Sequence, residues 1–156
     1  MRRMLRSTGG ILLVTLAALA MVSCSTSDVS GGQQAAIDQA DPICLEAQQK
    51  IGLKLGDEPT VEAAALKQAT DGLMAIAAPS ENLTTWKLFT QNVNNLWLNM
   101  FDVAESLAPI VNDRPRAQRA LEQAATANEN VVTYATDYKT EVCKNGFAPQ
   151  GTQLKA

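Results

Sequence analysis

Residues 86–110, WKLFTQNVNNLWLNMFDVAESLAPI, decide the fold of this 156-residue chain. Trp86, Phe89, Val93, Leu96, Met100, Val103, Leu107 and Ile110 recur at alternating steps of three and four. On a helix of 3.6 residues per turn that spacing draws one continuous apolar stripe. A stripe of this regularity predicts a long helix packed at a shallow angle against other helices. Ala78-Pro79-Ser80 stops whatever precedes it, Ser80 is the expected cap, and Pro109 kinks or ends the helix in its last turn.

The same periodicity extends outward on both sides. Beyond the Asn112-Asp113 turn, Pro115 falls in the first turn of a fourth helix. Ala117, Leu121, Ala124, Val131, Ala135, Tyr138 and Val142 form its inner face, and Lys144-Asn145-Gly146 reads as its end. Upstream, Thr60 caps a second helix running to about residue 77, with Val61, Ala65, Ala69, Leu73 and Ile76 on its buried side. A first helix is expected from Asp41-Pro42, an N-cap followed by proline at the first helical position. Cys44, Ala47, Ile51 and Leu55 mark its stripe, Gly56 its end, and residues 35–40 add a turn at most. The predicted fold is all-α, a four-helix up-down-up-down bundle with long third and fourth helices.

The N-terminus carries an export signal. Arg2, Arg3 and Arg6 precede an uncharged apolar run from Ile11 to Val22, which is too short to span a bilayer. Met21-Val22-Ser23-Cys24 closes it and resembles the lipobox of bacterial lipoproteins, although Leu is usual where Met21 stands. The resemblance implies cleavage before Cys24, a diacylglyceryl group on its thiol and an acylated amino end. Ala18-Leu19-Ala20 offers an alternative cut that would release a soluble protein. Cysteine parity favours the first. The chain holds three cysteines, and lipidation of Cys24 leaves one pair. Two or more acyl chains hold a protein stably at a membrane.

The remaining pair tests the topology. Cys44, early in helix one, and Cys143, at the end of helix four, fall at the same end of an up-down-up-down bundle. A disulfide between them is therefore within reach, and an oxidising compartment favours it over two buried thiols. Closing a loop of about 100 residues contributes roughly 4.7 kcal/mol in the chain-entropy model. The resulting organisation is residues 1–23 as signal peptide, 24–40 as lipidated cysteine and flexible tether, 41–146 as bundle and 147–156 as disordered tail. The tether enters at the disulfide end, so that end faces the membrane.

Residues 1–23 hold three of the 13 Lys and Arg and none of the 16 Asp and Glu, so the remainder carries ten against 16, a net −6. An acidic body disfavours nucleic acid, and it lacks a polybasic strip for anionic lipid. There is no histidine, which removes the commonest general base and the commonest transition-metal ligand. No nucleophile elbow, P-loop or dinucleotide fingerprint occurs. The carboxylates, Glu58 and Glu62 or Glu122 and Glu129 among them, are dispersed on solvent faces. Neither an enzyme, a cofactor nor a metal site is expected.

Three surfaces are candidates for function. Trp97, Phe101, Leu107 and Ile110 lie where the long helices outrun the short pair, and they predict either core or an apolar groove for a partner or small apolar ligand. Arg114, Arg116 and Arg119 gather where the helix dipole disfavours cations, which suggests an anion contact. Asn92, Asn95 and Asn99 share one side of helix three and line a polar pocket with Asn128, or else fix helix register through a buried hydrogen bond.

Ala78-Pro79-Ser80-Glu81-Asn82-Leu83-Thr84-Thr85-Trp86, together with Cys24, Cys44 and Cys143, resembles small actinobacterial envelope lipoproteins of unknown function. The resemblance spans most of the chain after residue 23 and implies a disulfide-stapled helical bundle on the cell surface. It implies no activity, ligand or catalytic residue. The expected role is a lipid-anchored, non-catalytic interaction or ligand-binding module of the envelope, its partner an envelope protein or a small apolar ligand. The alternative is a secreted soluble bundle that binds such a ligand between its helices.

Overall fold

The apolar stripe of residues 86–103 is the wall against which the second and fourth helices pack. The structure, a computed structural model, describes residues 29–154. The signal segment, Cys24, the first residues of the tether and residues 155–156 lie outside the described residues. Four helices follow in order: α1 (Gly31–Ile51), α2 (Pro59–Ala75), α3 (Leu83–Ser106) and α4 (Arg114–Asp137), with a short 3-10 turn at Cys143–Asn145. Each helix packs on the next, as an antiparallel four-helix bundle requires. Trp86, Phe89, Val93, Leu96, Met100 and Val103 are all buried. Each large side chain among them contributes roughly 1.5–3 kcal/mol of transfer free energy.

α1 begins eleven residues before the expected start. Ser30 is its cap, its hydroxyl accepting the Gln33 N–H at 3.2 Å. Gln33, Ala36, Ile37 and Ala40 continue the buried stripe upstream of Pro42. Proline is tolerated inside this helix on an exposed position, at the cost of one backbone bond. The tether is therefore shorter than 24–40. α3 likewise starts after Asn82, not Ser80. Asn82 adopts a left-handed φ of 54° and donates its amide to Gln33 Oε1 at 2.8 Å. At the other end α3 stops at Ser106, because Pro109 has no N–H for the next turn.

The largest departure is at the C-terminus. α4 ends at Asp137, and Lys139, with φ 67°, turns the chain back. Residues 138–154 then run as a strap along the seam between α1 and α4, two helices that make no backbone contact with each other. The tail is not free. Phe147 is fully buried and Ala148 nearly so. Leu55 exchanges backbone bonds with the far end of the strap, receiving from Gln153 at 2.8 Å and donating to Gly151 O at 3.1 Å.

Polar groups on α1 tie the strap down. Gln33 donates to Tyr138 O at 2.8 Å, and Gln48 donates to Val142 O and Gly146 O at 3.1 and 2.7 Å. The Asp41 carboxylate accepts the N–H groups of Glu141, Val142 and Cys143 at 3.0–3.3 Å. Beside it Cys44 and Cys143 form the disulfide, with Cα atoms 5.3 Å apart. From the α4 side Asn128 Oδ1 accepts the Phe147 N–H at 2.7 Å. Gly146, at φ 66°, lies so close to Val132 and Asn128 that a Cβ there would meet them at 2.8 and 3.0 Å. Cys44 thus lies 13 residues into α1, about 20 Å from its start, so the disulfide marks the middle of the bundle rather than its tether end.

Two predictions follow from the strap. Phe147→Ala costs about 3–5 kcal/mol in urea unfolding, the usual range for a fully buried aromatic, and a change below about 1 kcal/mol returns the strap to a loose tail. Tyr138, its ring tilted at 49° to Trp86 with centroids 5.1 Å apart, has a buried hydroxyl without a partner among the described residues. Burial first, and the negative charge of Glu81 second, push this phenol up to about 12. The raised value favours the neutral ring in the fold, so its contribution is complete below about pH 10, the ordinary tyrosine value, and is lost as pH rises through about 12. Between those limits wild type loses more stability than Tyr138→Phe, measured as the difference between their urea midpoints.

Candidate functional site

α2 is built from small residues where it faces α3. Ala63 and Ala64 line the space beside Trp97 and Phe101, and their side chains are too small to fill it. The result is an apolar hollow of about 330 Å³ lined by Thr60, Ala63, Ala64, Lys67, Trp97, Phe101 and Ala104. Trp97 is half-buried and rests on the core, whereas Phe101 is 46% exposed. The Lys67 ammonium lies 5.1 Å from the Trp97 ring centroid and binds both oxygens of Asp71 at 2.8 and 2.6 Å. A cation over the ring face is attracted by its quadrupole, so one rim of the hollow is polar and its floor is not.

Of the four apolar residues singled out in the sequence, two meet here. Leu107 is half-buried against the core, outside the hollow. Ile110 sits in the α3–α4 loop, 99% exposed. The hollow also has a different origin from the one expected. α1 has 21 residues and α2 17 against 24 in α3, yet the hollow lies alongside α2 itself, from Thr60 to Lys67, and not beyond its end. Side-chain size on α2 creates the space, not helix length.

The three arginines open α4 on exposed positions. Asp113 caps the helix by accepting the Arg116 N–H at 3.0 Å, and the Arg116 guanidinium pairs with Asp102. Arg114 and Arg116, two residues apart, project about 200° from each other around the axis. The helix therefore does not aim these two at a common anion.

Asn92, Asn95 and Asn99 do share a cleft, but with Gln123, Thr126 and Asn130 of α4. Asn128 is absent from it because its side chain faces the strap. Glu62 was missed as a buried group: it is 1% exposed, and its two oxygens accept the N–H groups of Gly56 and Glu58 at 2.7 and 2.9 Å. Those bonds fix the turn into α2. Among the described residues no group of three or more His, Cys, Asp or Glu comes together as a metal site would, and no helix is long and apolar enough to cross a membrane.

No protein-family model matches the chain, and no curated protein and no solved structure matches it.

Removing the exposed wall of the hollow leaves the fold intact. Phe101→Ala changes the unfolding free energy by less than about 1 kcal/mol, whereas Phe89→Ala, fully buried on the same helix, costs about 3–5 kcal/mol. Equal losses in denaturant titrations make Phe101 ordinary core.

Proposed function

We propose that the protein is a lipid-anchored, non-catalytic binding module on the extracytoplasmic face of a bacterial cell membrane. It is held through Cys24 and offers the α2–α3 hollow to a small apolar ligand or to an apolar side chain of an envelope protein. One observation carries this reading. The Cys44–Cys143 bridge uses two of the three cysteines and leaves Cys24 as the odd thiol, at the end of an export-type stretch. Structural disulfides belong to oxidising compartments, and a secreted chain with an unpaired thiol needs a fate for it. Acylation is that fate. The resemblance at Pro79, Leu83 and Trp86 to actinobacterial envelope lipoproteins points the same way.

The geometry suits a partner approaching from outside. Cys24 and Gly31 are seven positions apart, a reach of at most about 25 Å. The hollow is built near the start of α2 and the end of α3, the half of the bundle remote from Gly31. Ala104 lies 21 residues beyond the start of α3, about 30 Å along its axis. A ligand there meets no crowding from the tether.

Intact mass spectrometry and detergent partitioning of the native protein test the anchor. The expected chain begins at Cys24, carries the mass of two or more acyl groups and enters the detergent phase, and Cys24→Ser moves it to the aqueous phase. A native chain beginning at Met21 and freely soluble in water overturns the anchor and leaves the secreted bundle as the reading.

A further inference from the structure

The flank of α3 turned away from the hollow carries a second surface of different chemistry. Asn92, Asn95 and Asn99 are spaced three and four apart, so they stack along one line of the helix. Gln123, Thr126 and Asn130 do the same on α4. The antiparallel packing of α3 on α4 sets these two ladders face to face across a cleft of about 330 Å³. Leu98 and Ala127 complete its lining, and no charged side chain contributes.

Most of these amides do nothing for the fold. Asn92 is 9% exposed and donates to its own backbone at Leu88 O, and the Thr126 hydroxyl donates to Glu122 O. Asn95, Asn99, Gln123 and Asn130 have no side-chain hydrogen bond to another described residue. Asparagine is among the poorer helix formers, since its amide competes with the backbone. A solvent-facing helix position gains nothing from it without a partner. Elsewhere these two helices fill such positions with Lys87, Glu105, Gln118, Glu122 and Glu129. Positions that break a local rule with no compensating bond in the fold are where function is expected to reside.

The donor set selects the ligand. Each free carboxamide presents two N–H donors and a carbonyl oxygen with two lone pairs, and none carries charge. An ionic ligand finds no counter-charge in the lining. An apolar ligand would strip water from four amides and return no hydrogen bond. A neutral polyol matches, because every hydroxyl both donates and accepts. Asn92 to Asn99 covers about 10 Å along the axis, the scale of a short oligosaccharide, and Leu98 offers an apolar edge to the C–H face of a sugar ring. We propose that the α3–α4 amide cleft binds a neutral saccharide chain. This site is independent of the hollow and of the mode of anchoring.

Titration of the 15N-labelled, disulfide-bonded protein with maltotriose, cellotriose and triacetylchitotriose, each to about 10 mM, tests it by NMR. At least one of the three shifts the side-chain amide signals of Asn95, Asn99, Gln123 and Asn130 saturably and leaves the Trp97 indole unmoved. Asn99→Ala combined with Asn130→Ala weakens binding at least tenfold at an unchanged or higher Tm, since alanine favours the helix and no internal bond is lost. Silence with all three sugars overturns the proposal, as do shifts that survive the double variant. A lowered Tm in that variant also overturns it, by making the amides structural.

Discussion

The bundle depends on how the seam between α1 and α4 is closed. A four-helix array whose first and last members do not meet would expose the inner stripes of both. Residues 138–154 occupy that gap, and the backbone groups that the short turn at Cys143–Asn145 leaves unpaired must find partners there. α1 supplies them from one face. Gln33, Asp41 and Gln48 between them receive or donate six bonds to the strap backbone, and Cys44 adds the covalent link. Bonds from backbone N–H groups to a carboxylate are stronger than neutral ones, and Asp41 accepts three of them. The disulfide works on the other side of the equilibrium, restricting the unfolded chain over a sequence separation of 99 residues.

This arrangement explains which features were legible in the sequence. The stripe from Trp86 to Val103 was readable because an amphipathic helix with one buried face writes its period directly into the residue order. The pairing of Cys44 with Cys143 was readable from parity and topology, although the geometry behind it was not. Four junctions were hidden, each for a local reason. Asp41-Pro42 has the form of a helix start, yet Asp41 is committed to the strap and Pro42 rides on an exposed turn of a helix begun at Gly31. Ser80 has the form of a cap, yet Asn82 turns the chain in a left-handed conformation and is held by Gln33. Lys139 ends α4 at a positive φ where glycine or asparagine would normally announce it. Phe147 and Ala148 are too few and too irregular to show a period, so burial by tertiary packing left no pattern to find.

The candidate surfaces show the same division. Trp97 and Phe101 stood out as large apolar residues off the main stripe, and both line the hollow. The hollow's cause is the run of alanines on α2, which reads as helix propensity until it is set against two aromatic rings. Leu107 and Ile110 shared the period but not the site, because α3 had already ended. The asparagines of α3 were visible as a cluster. Their partners on α4 were not, since Gln123, Thr126 and Asn130 become a ladder only when the register of α3 against α4 is known.

α3 therefore presents three different faces. Its core face, from Trp86 to Val103, packs against α2 and α4 and fixes its rotation about its own axis. That rotation then determines what the flanks display, because residues 97, 101 and 104 fall on one side of the buried stripe and residues 92, 95 and 99 on the other. A one-residue change in register would turn every side chain by about 100° and carry asparagines into the core, where each unpaired amide costs roughly 1–3 kcal/mol. The same hydrophobic burial that stabilises the bundle thus holds the apolar hollow and the amide cleft apart on opposite flanks of one helix. The strap, by closing the distant α1–α4 seam, leaves both flanks open.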